Sequence, residues 1–216
     1  EIVRKTEETG FDLVVIGAVR KGTSGLFWMS SKSYKIIKEI SPPVLLVAGK
    51  SGSIRRILIC SGGKRYIDEA VQLSGKIAKG IHASICLLHV MAEPPAIYAG
   101  LPGMEETTAR VLSSNSELGK NLRSEKKTLE SLGVTTEVRL RRGSVLEEIF
   151  REIREGKYEL VVTGSALSHG LRTYVLGDIS REIVNRTTCA VLVVRGQKRQ
   201  GQGFPGLGWW ERLTSG

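Results

Sequence analysis

Cysteine is scarce in this chain: Cys60, Cys86 and Cys189 are the only three in 216 residues. An odd count at wide spacing excludes a self-contained disulfide framework, and no pair has the spacing of a metal-ligand set. Each lies in or beside an apolar run, as small buried hydrophobes do, so a reducing, cytoplasmic setting is expected. Histidine is as rare, with His82, His89 and His169. None has a spaced Ser, Cys or Asp partner from which a triad could be built. No pair of carboxylates stands out for acid–base work either, so the chain is not expected to be an enzyme. Long hydrophobic runs are missing too. No stretch approaches the ~20 apolar residues of a bilayer crossing, and no signal peptide is visible.

Charge is not balanced. Lys and Arg number 32 against 22 Asp and Glu, a net +10. Such an excess can serve nucleic acid or an anionic membrane. Here the basic residues are scattered through helix-like segments with Glu interleaved, which predicts a solvated basic surface and no nucleic-acid partner. The 41% apolar content is that of an ordinary soluble globular protein.

What the chain does contain is a repeat. Glu159-Leu-Val-Val-Thr-Gly164 is an apolar run stopped by glycine, followed by a Gly/Ser turn, a helix-like Ile179–Val184 and a second run, Ala190–Val194. Asp12-Leu-Val-Val-Ile-Gly17, a Gly/Ser turn, Ser33–Ile37 and Val44–Val47 repeat it. Both ends align at an offset of 147, Asp12 with Glu159 and Val44 with Val191. A period that long is a domain. The chain begins at Glu1 without an initiator Met, and the first copy lacks a counterpart of Arg55–Glu147, so it reads as truncated at its amino end.

Taken in order, a strand is predicted over Phe11–Ile16, a loop over Val19–Met29, a helix over Ser30–Ile40 stopped by Pro42 and Pro43, and a strand over Val44–Ala48. Gly49–Ser53 is a short linker. Then come strand Arg55–Cys60, helix Tyr66–Lys79 and strand Ala83–Val90, whose nearly continuous apolar character suits burial on both faces. Met91–Met104 is a Pro- and Gly-rich loop. Thr107–Leu132 is predicted as one polar helix with a line of Leu118, Leu122, Leu129 and Leu132, stopped by Gly133. Strand Val134–Arg141 alternates, as at a sheet edge. Ser144–Glu147 has the form of a capping box opening a helix that carries Leu146, Ile149, Phe150 and Ile153. Strands alternating with helices mean a parallel sheet covered on both sides. The boundaries expected are 1–50 for a partial unit, 54–195 for a complete one and 196–216 for a flexible tail.

At Leu132-Gly-Val134, Arg142-Gly-Ser144, Tyr158–Gly164 and Gly177–Val194 the chain resembles the universal stress protein family, over the whole of Arg55–Arg195. Glu1–Lys50 resembles the last third of a second such domain. The resemblance implies a five-stranded parallel sheet of order 3-2-1-4-5 in a Rossmann-like α/β/α sandwich of the adenine nucleotide alpha hydrolase type. It implies domains paired through their last strands, within the chain or in a homodimer, and, in one branch, ATP with Mg at the switch point of the sheet. That site would involve Ser61, Gly62, Val90, Gly164, Ser165, Leu167, His169, Gly170, Gly177, Asp178 and Ser180.

The ATP-binding branch carries glycine, two residues, glycine, nine residues, then glycine and a hydroxyl residue. Here Gly164 and Gly177 match, but Leu167 and Asp178 replace the middle glycine and the hydroxyl residue. Ser61 stands where the branch has aspartate. Leu167 brings a side chain where bare backbone is needed. As an N-cap, Asp178 would compete for the amides a phosphate wants and repel it. In the first copy Gly17, Gly22 and Ser31 fit, while Arg20 and Ser30 do not. The expectation is a non-catalytic stress-response or regulatory module with a degraded nucleotide site. An adenine-nucleotide binder and a cytosolic regulatory domain of a transporter are the alternatives.

Overall fold

The structure, a computed structural model, describes residues 1–20, 27–28, 35–37, 39–48, 52–62, 67–93, 107–165 and 178–195. The elements are α1 (Ile2–Glu8), β1 (Val14–Arg20), β2 (Phe27–Trp28), β3 (Val44–Ala48), β4 (Arg56–Cys60), α2 (Asp68–Ile81) and β5 (Ser84–Met91). They continue with α3 (Thr108–Ser113), α4 (Glu117–Ser131), β6 (Thr136–Arg142), α5 (Val145–Gly156), β7 (Leu160–Ser165), α6 (Asp178–Arg186) and β8 (Ala190–Arg195).

All the strands join one sheet of order β2-β1-β3-β8-β7-β4-β5-β6. From β4 onward they are mutually parallel and stand in the order 3-2-1-4-5 that the resemblance implies. Parallel neighbours need long crossovers, which α2, α4, α5 and α6 supply. The sheet does not stop at five strands, however. β3 lies antiparallel against β8, Leu45 opposite Leu192, and β1 runs parallel to β3.

Alternation along the buried strands divides the core into two layers. Ile57, Ile59, Leu160, Val162, Leu192 and Val194 pack with Ala70, Val71 and Ala78 of α2 and Leu129 of α4. On the opposite face Leu58, Leu88, Val161, Val191 and Val193 pack with Ile149, Phe150 and Ile153 of α5 and Ile183 and Val184 of α6. Ile37, Ile40, Val44 and Leu46 belong to this second layer, so β3 and the residues before it share the core of the strands that follow. Gly75 lets α2 close on α4, since a Cβ there would meet Leu132 Cδ1 at 2.6 Å and Leu129 Cδ2 at 2.9 Å.

Val14 faces Val44 across β1 and β3 as Val161 faces Val191 across β7 and β8, each residue displaced by the same offset. The two copies differ in what covers them. Val162 is fully buried between β4 and β8, whereas its counterpart Val15 is 60% exposed. β7 has β4 on its other side, while among the described residues β1 has β2, bonded at Val19 and Arg20.

Several local expectations need correction. The loop predicted over Val19–Met29 begins inside β1, which starts at Val14 and runs to Arg20, and it contains β2. Thr107–Leu132 is two helices, broken at Ser114, where Arg123 caps the free carbonyl ends of Leu112 and Ser114. Ser144 precedes α5 but makes no side-chain cap bond, so the capping box does not form. In the segment predicted as helix before Pro42, residues 35–37 and 39 are helical. The Met91–Met104 loop beyond 93 and the 196–216 tail lie outside the described residues.

Candidate functional site

The chain leaves β4 for β5 on one side and later returns to place β7 on the other. The strand order therefore reverses between β4 and β7, and the crevice beyond their carboxyl ends is where a parallel sheet presents a ligand site. Cys60-Ser61-Gly62 ends β4, Thr163-Gly164-Ser165 ends β7, and His89 and Val90 approach the end of β5.

Ser61 is held from three directions. Its N–H donates to the Leu88 carbonyl at 2.8 Å. Its own carbonyl accepts from Nδ1 of His89 at 2.8 Å, which fixes the ring proton on that nitrogen. Its hydroxyl donates to the carboxyl group of Glu125 on α4, with Oε2 at 3.0 Å and Oε1 at 3.2 Å. Ser61 is buried and Gly62, one residue on, is exposed. The preceding Cys60 is no nucleophile, because burial pushes its thiol up to about 12.

Across the crevice Ser180, on the first turn of α6, is equally committed. Its hydroxyl donates to the Gly164 carbonyl at 3.1 Å and contacts Oγ1 of Thr163 at 2.8 Å. Ser180 has one proton and gives it to Gly164, so Thr163 is the donor in the second bond. Both residues are 3% exposed. Val90 packs partly buried against the core layer of α5. Asp178 is the first residue of α6. The structure thus brings Ser61, Gly62, Gly164 and Ser180 to one end of the sheet. Leu167, His169, Gly170 and Gly177, with the side chains of Ser165 and Asp178, lie outside the described residues.

Glu125 is the site residue that sequence reasoning missed. It is 3% exposed. Burial raises its pKa to about 7, the Ser61 hydrogen bond pulls the other way and the charge of Asp68 on α2 adds to the rise. A signal was present: Leu118, Leu122, Leu129 and Leu132 are spaced by helical turns, and the position that completes the line between Leu122 and Leu129 is Glu125. Among the described residues, no group of three or more His, Cys, Asp or Glu is placed to hold a metal ion. No helix among them is long and apolar enough to cross a membrane.

A parallel sheet of this order, sandwiched between helices and open at its switch point, defines a Rossmann-like α/β protein. The sequence model of the Universal stress protein family matches residues 53–195, and the chain belongs to that family. Universal stress protein YxiE of Bacillus subtilis (strain 168) is 26% identical over 145 residues, covering 65% of this chain and 98% of that protein. A universal stress protein from Archaeoglobus fulgidus DSM 4304 superimposes with a TM-score of 0.68 at 15% identity. The match takes in 90% of this chain, which spans only 65% of that longer chain. A putative universal stress protein from Pseudomonas aeruginosa UCBPP-PA14 behaves alike, with a TM-score of 0.64, 15% identity, and coverage of 90% and 66%. At such identities the likeness is one of fold.

Proposed function

We propose that the chain is a non-catalytic, cytoplasmic regulatory module whose switch-point crevice holds an adenine nucleotide weakly at most. The observation that carries this reading is the commitment of both described hydroxyls. Ser61 donates into the protein to Glu125, and Ser180 donates to the Gly164 carbonyl. A buried carboxyl group directly beneath the crevice also opposes a polyphosphate. Calorimetric titration with ATP and magnesium at neutral pH is expected to show binding weaker than micromolar. Micromolar binding that Gly177→Asp abolishes would replace this reading with that of an ATP-dependent module. One observation favours that second reading: Gly62 is exposed at the end of β4 and Gly164 ends β7, which puts bare backbone on both sides of the crevice.

Two universal stress protein units clasped through their last strands are the second part of the proposal. The antiparallel register of β3 on β8, Val44 with Val193 and Leu46 with Val191, supports it. Such pairing removes the open edge that each final strand would otherwise present. Hydrogen exchange is the test. Amides of Val44–Leu46 should be protected more than those of Val14–Ile16, which have β3 on one side only. Equal, fast exchange of both strands would mean that the clasp does not hold.

A further inference from the structure

The polar groups at the end of β4 form a chain that runs inward. Gly62 is exposed, Ser61 is 6% exposed, and Glu125 beneath them is 3% exposed. Both carboxyl oxygens of Glu125 lie within bonding distance of one hydroxyl, that of Ser61. The backbone of the same serine is tied to β5 through Leu88 and His89. The Ser61–Gly62 segment at the mouth of the crevice is therefore anchored on one side by the sheet and on the other by an ionisable group.

We propose that Glu125 is a positioning residue of the crevice: its carboxyl group sets the Ser61–Gly62 backbone, and the gain or loss of its proton gates the approach of a phosphate-bearing ligand. This rests on reading the crevice as a nucleotide site. A protonated carboxyl group can donate to the serine as well as accept from it, so Ser61 can turn its hydroxyl outward. An ionised one only accepts, holding that hydroxyl inward and adding a buried negative charge under the crevice. Burial places the exchange between the two states near neutral pH, at about 7.

The surrounding charges do not defeat this. From α2 the acting group is Asp68, which favours the protonated form. From β5, His89 donates its Nδ1–H to the Ser61 carbonyl. β6 pairs Arg139 and Arg141 with Glu152 of α5, away from α4, and Glu137 pairs with Arg139. On α3, Arg110 is exposed.

The test follows the Ser61 and Gly62 amides by NMR across neutral pH in the wild type, Glu125→Gln and Ser61→Ala. ATP with magnesium is titrated into the same three proteins at about pH 6 and about pH 8. The two amides should shift with a midpoint near neutrality in the wild type and stay flat in Glu125→Gln. In Ser61→Ala the Glu125 carboxyl carbon should still titrate while Gly62 no longer follows. The affinity of Glu125→Gln relative to the wild type should rise about tenfold between the two pH values, the size of one added charge nearby. The ligand's own protonation is common to both proteins and cancels. Flat Ser61 and Gly62 amides in the wild type would overturn the proposal even if ATP binds. Titrating amides with no ATP uptake by any of the proteins would instead remove the nucleotide reading, and with it phosphate as what the proton gates.

Discussion

Glu125→Gln should stabilise the fold by about 3 kcal/mol at about pH 8 and leave it almost unchanged at about pH 4. The sign follows from which state holds the proton. Burial lifts the Glu125 carboxyl group from 4.5 to about 7 in the folded chain, with Asp68 adding to the lift against the Ser61 bond. Between those values the folded protein keeps a proton that the unfolded chain releases. Its contribution is therefore fully present below about 4.5 and is lost as pH rises through about 7. Above that range the wild type confines a charge at a position 3% exposed. Gln does not titrate, fills the same volume and still accepts from Ser61 through its amide oxygen. Urea unfolding of both proteins at the two pH values measures the difference. A stability gap that is the same at both would show that the carboxyl group does not titrate where its burial puts it. The effect also separates stability from binding, since the same substitution is expected to flatten the pH response at Gly62 whether or not a nucleotide is present.

The sheet was legible because burial on both faces leaves a plain mark. Leu58, Leu87, Val161 and Leu192 sit in short apolar runs with helix-patterned segments between them, and only a covered parallel sheet accommodates that alternation. The parallel pairing of β1 with β3 has the same register as that of β7 with β8, Val14 on Val44 and Val161 on Val191. What could not be read was local and polar. β2 is two residues long, too short for any period to appear, and its pairing with Val19 and Arg20 depends on chain reversal. Ser144 has the right neighbours for a capping box, yet its hydroxyl makes no cap bond. Ser180 stands where a phosphate ligand was expected, but the Gly164 carbonyl is nearer than any ligand need be. Glu125 escapes a reading of the leucine line that follows only its apolar members. A buried carboxyl group within an apolar stripe is the stronger signal of the two.

Glu152→Ala is expected to cost about 4 kcal/mol, the range seen when one member of a buried ion-paired group is removed. Glu152 is fully buried on α5 and carries three bonds. Oε1 accepts from the Tyr158 hydroxyl at 2.7 Å and from Nη1 of Arg139 at 3.0 Å, and Oε2 accepts from Nε of Arg141 at 2.7 Å. Removing it leaves the Tyr158 hydroxyl, on a residue 5% exposed, with the weaker Cys86 thiol as partner, and leaves Arg141 with Glu148 and Glu155. Burial alone would raise the Glu152 carboxyl group. The bonds from Tyr158 and Arg141, with the charges of Arg139 and Arg141, outweigh it and hold the group below its ordinary 4.5. Its contribution is thus present at neutral pH and lost as the solution is acidified through that depressed value, the reverse of the Glu125 case. Urea midpoints of wild type and variant from neutral to acid should converge as Glu152 protonates. A loss below about 1 kcal/mol at neutral pH would mean that the two arginines swing to Glu137, Glu148 and Glu155 and re-pair at the surface. The cluster matters to the sheet as a whole because β6 is its last strand. An arginine-bearing edge fastened down onto α5 resists addition of a further strand. It also steadies β5, the strand whose His89 holds the Ser61 carbonyl at the mouth of the crevice.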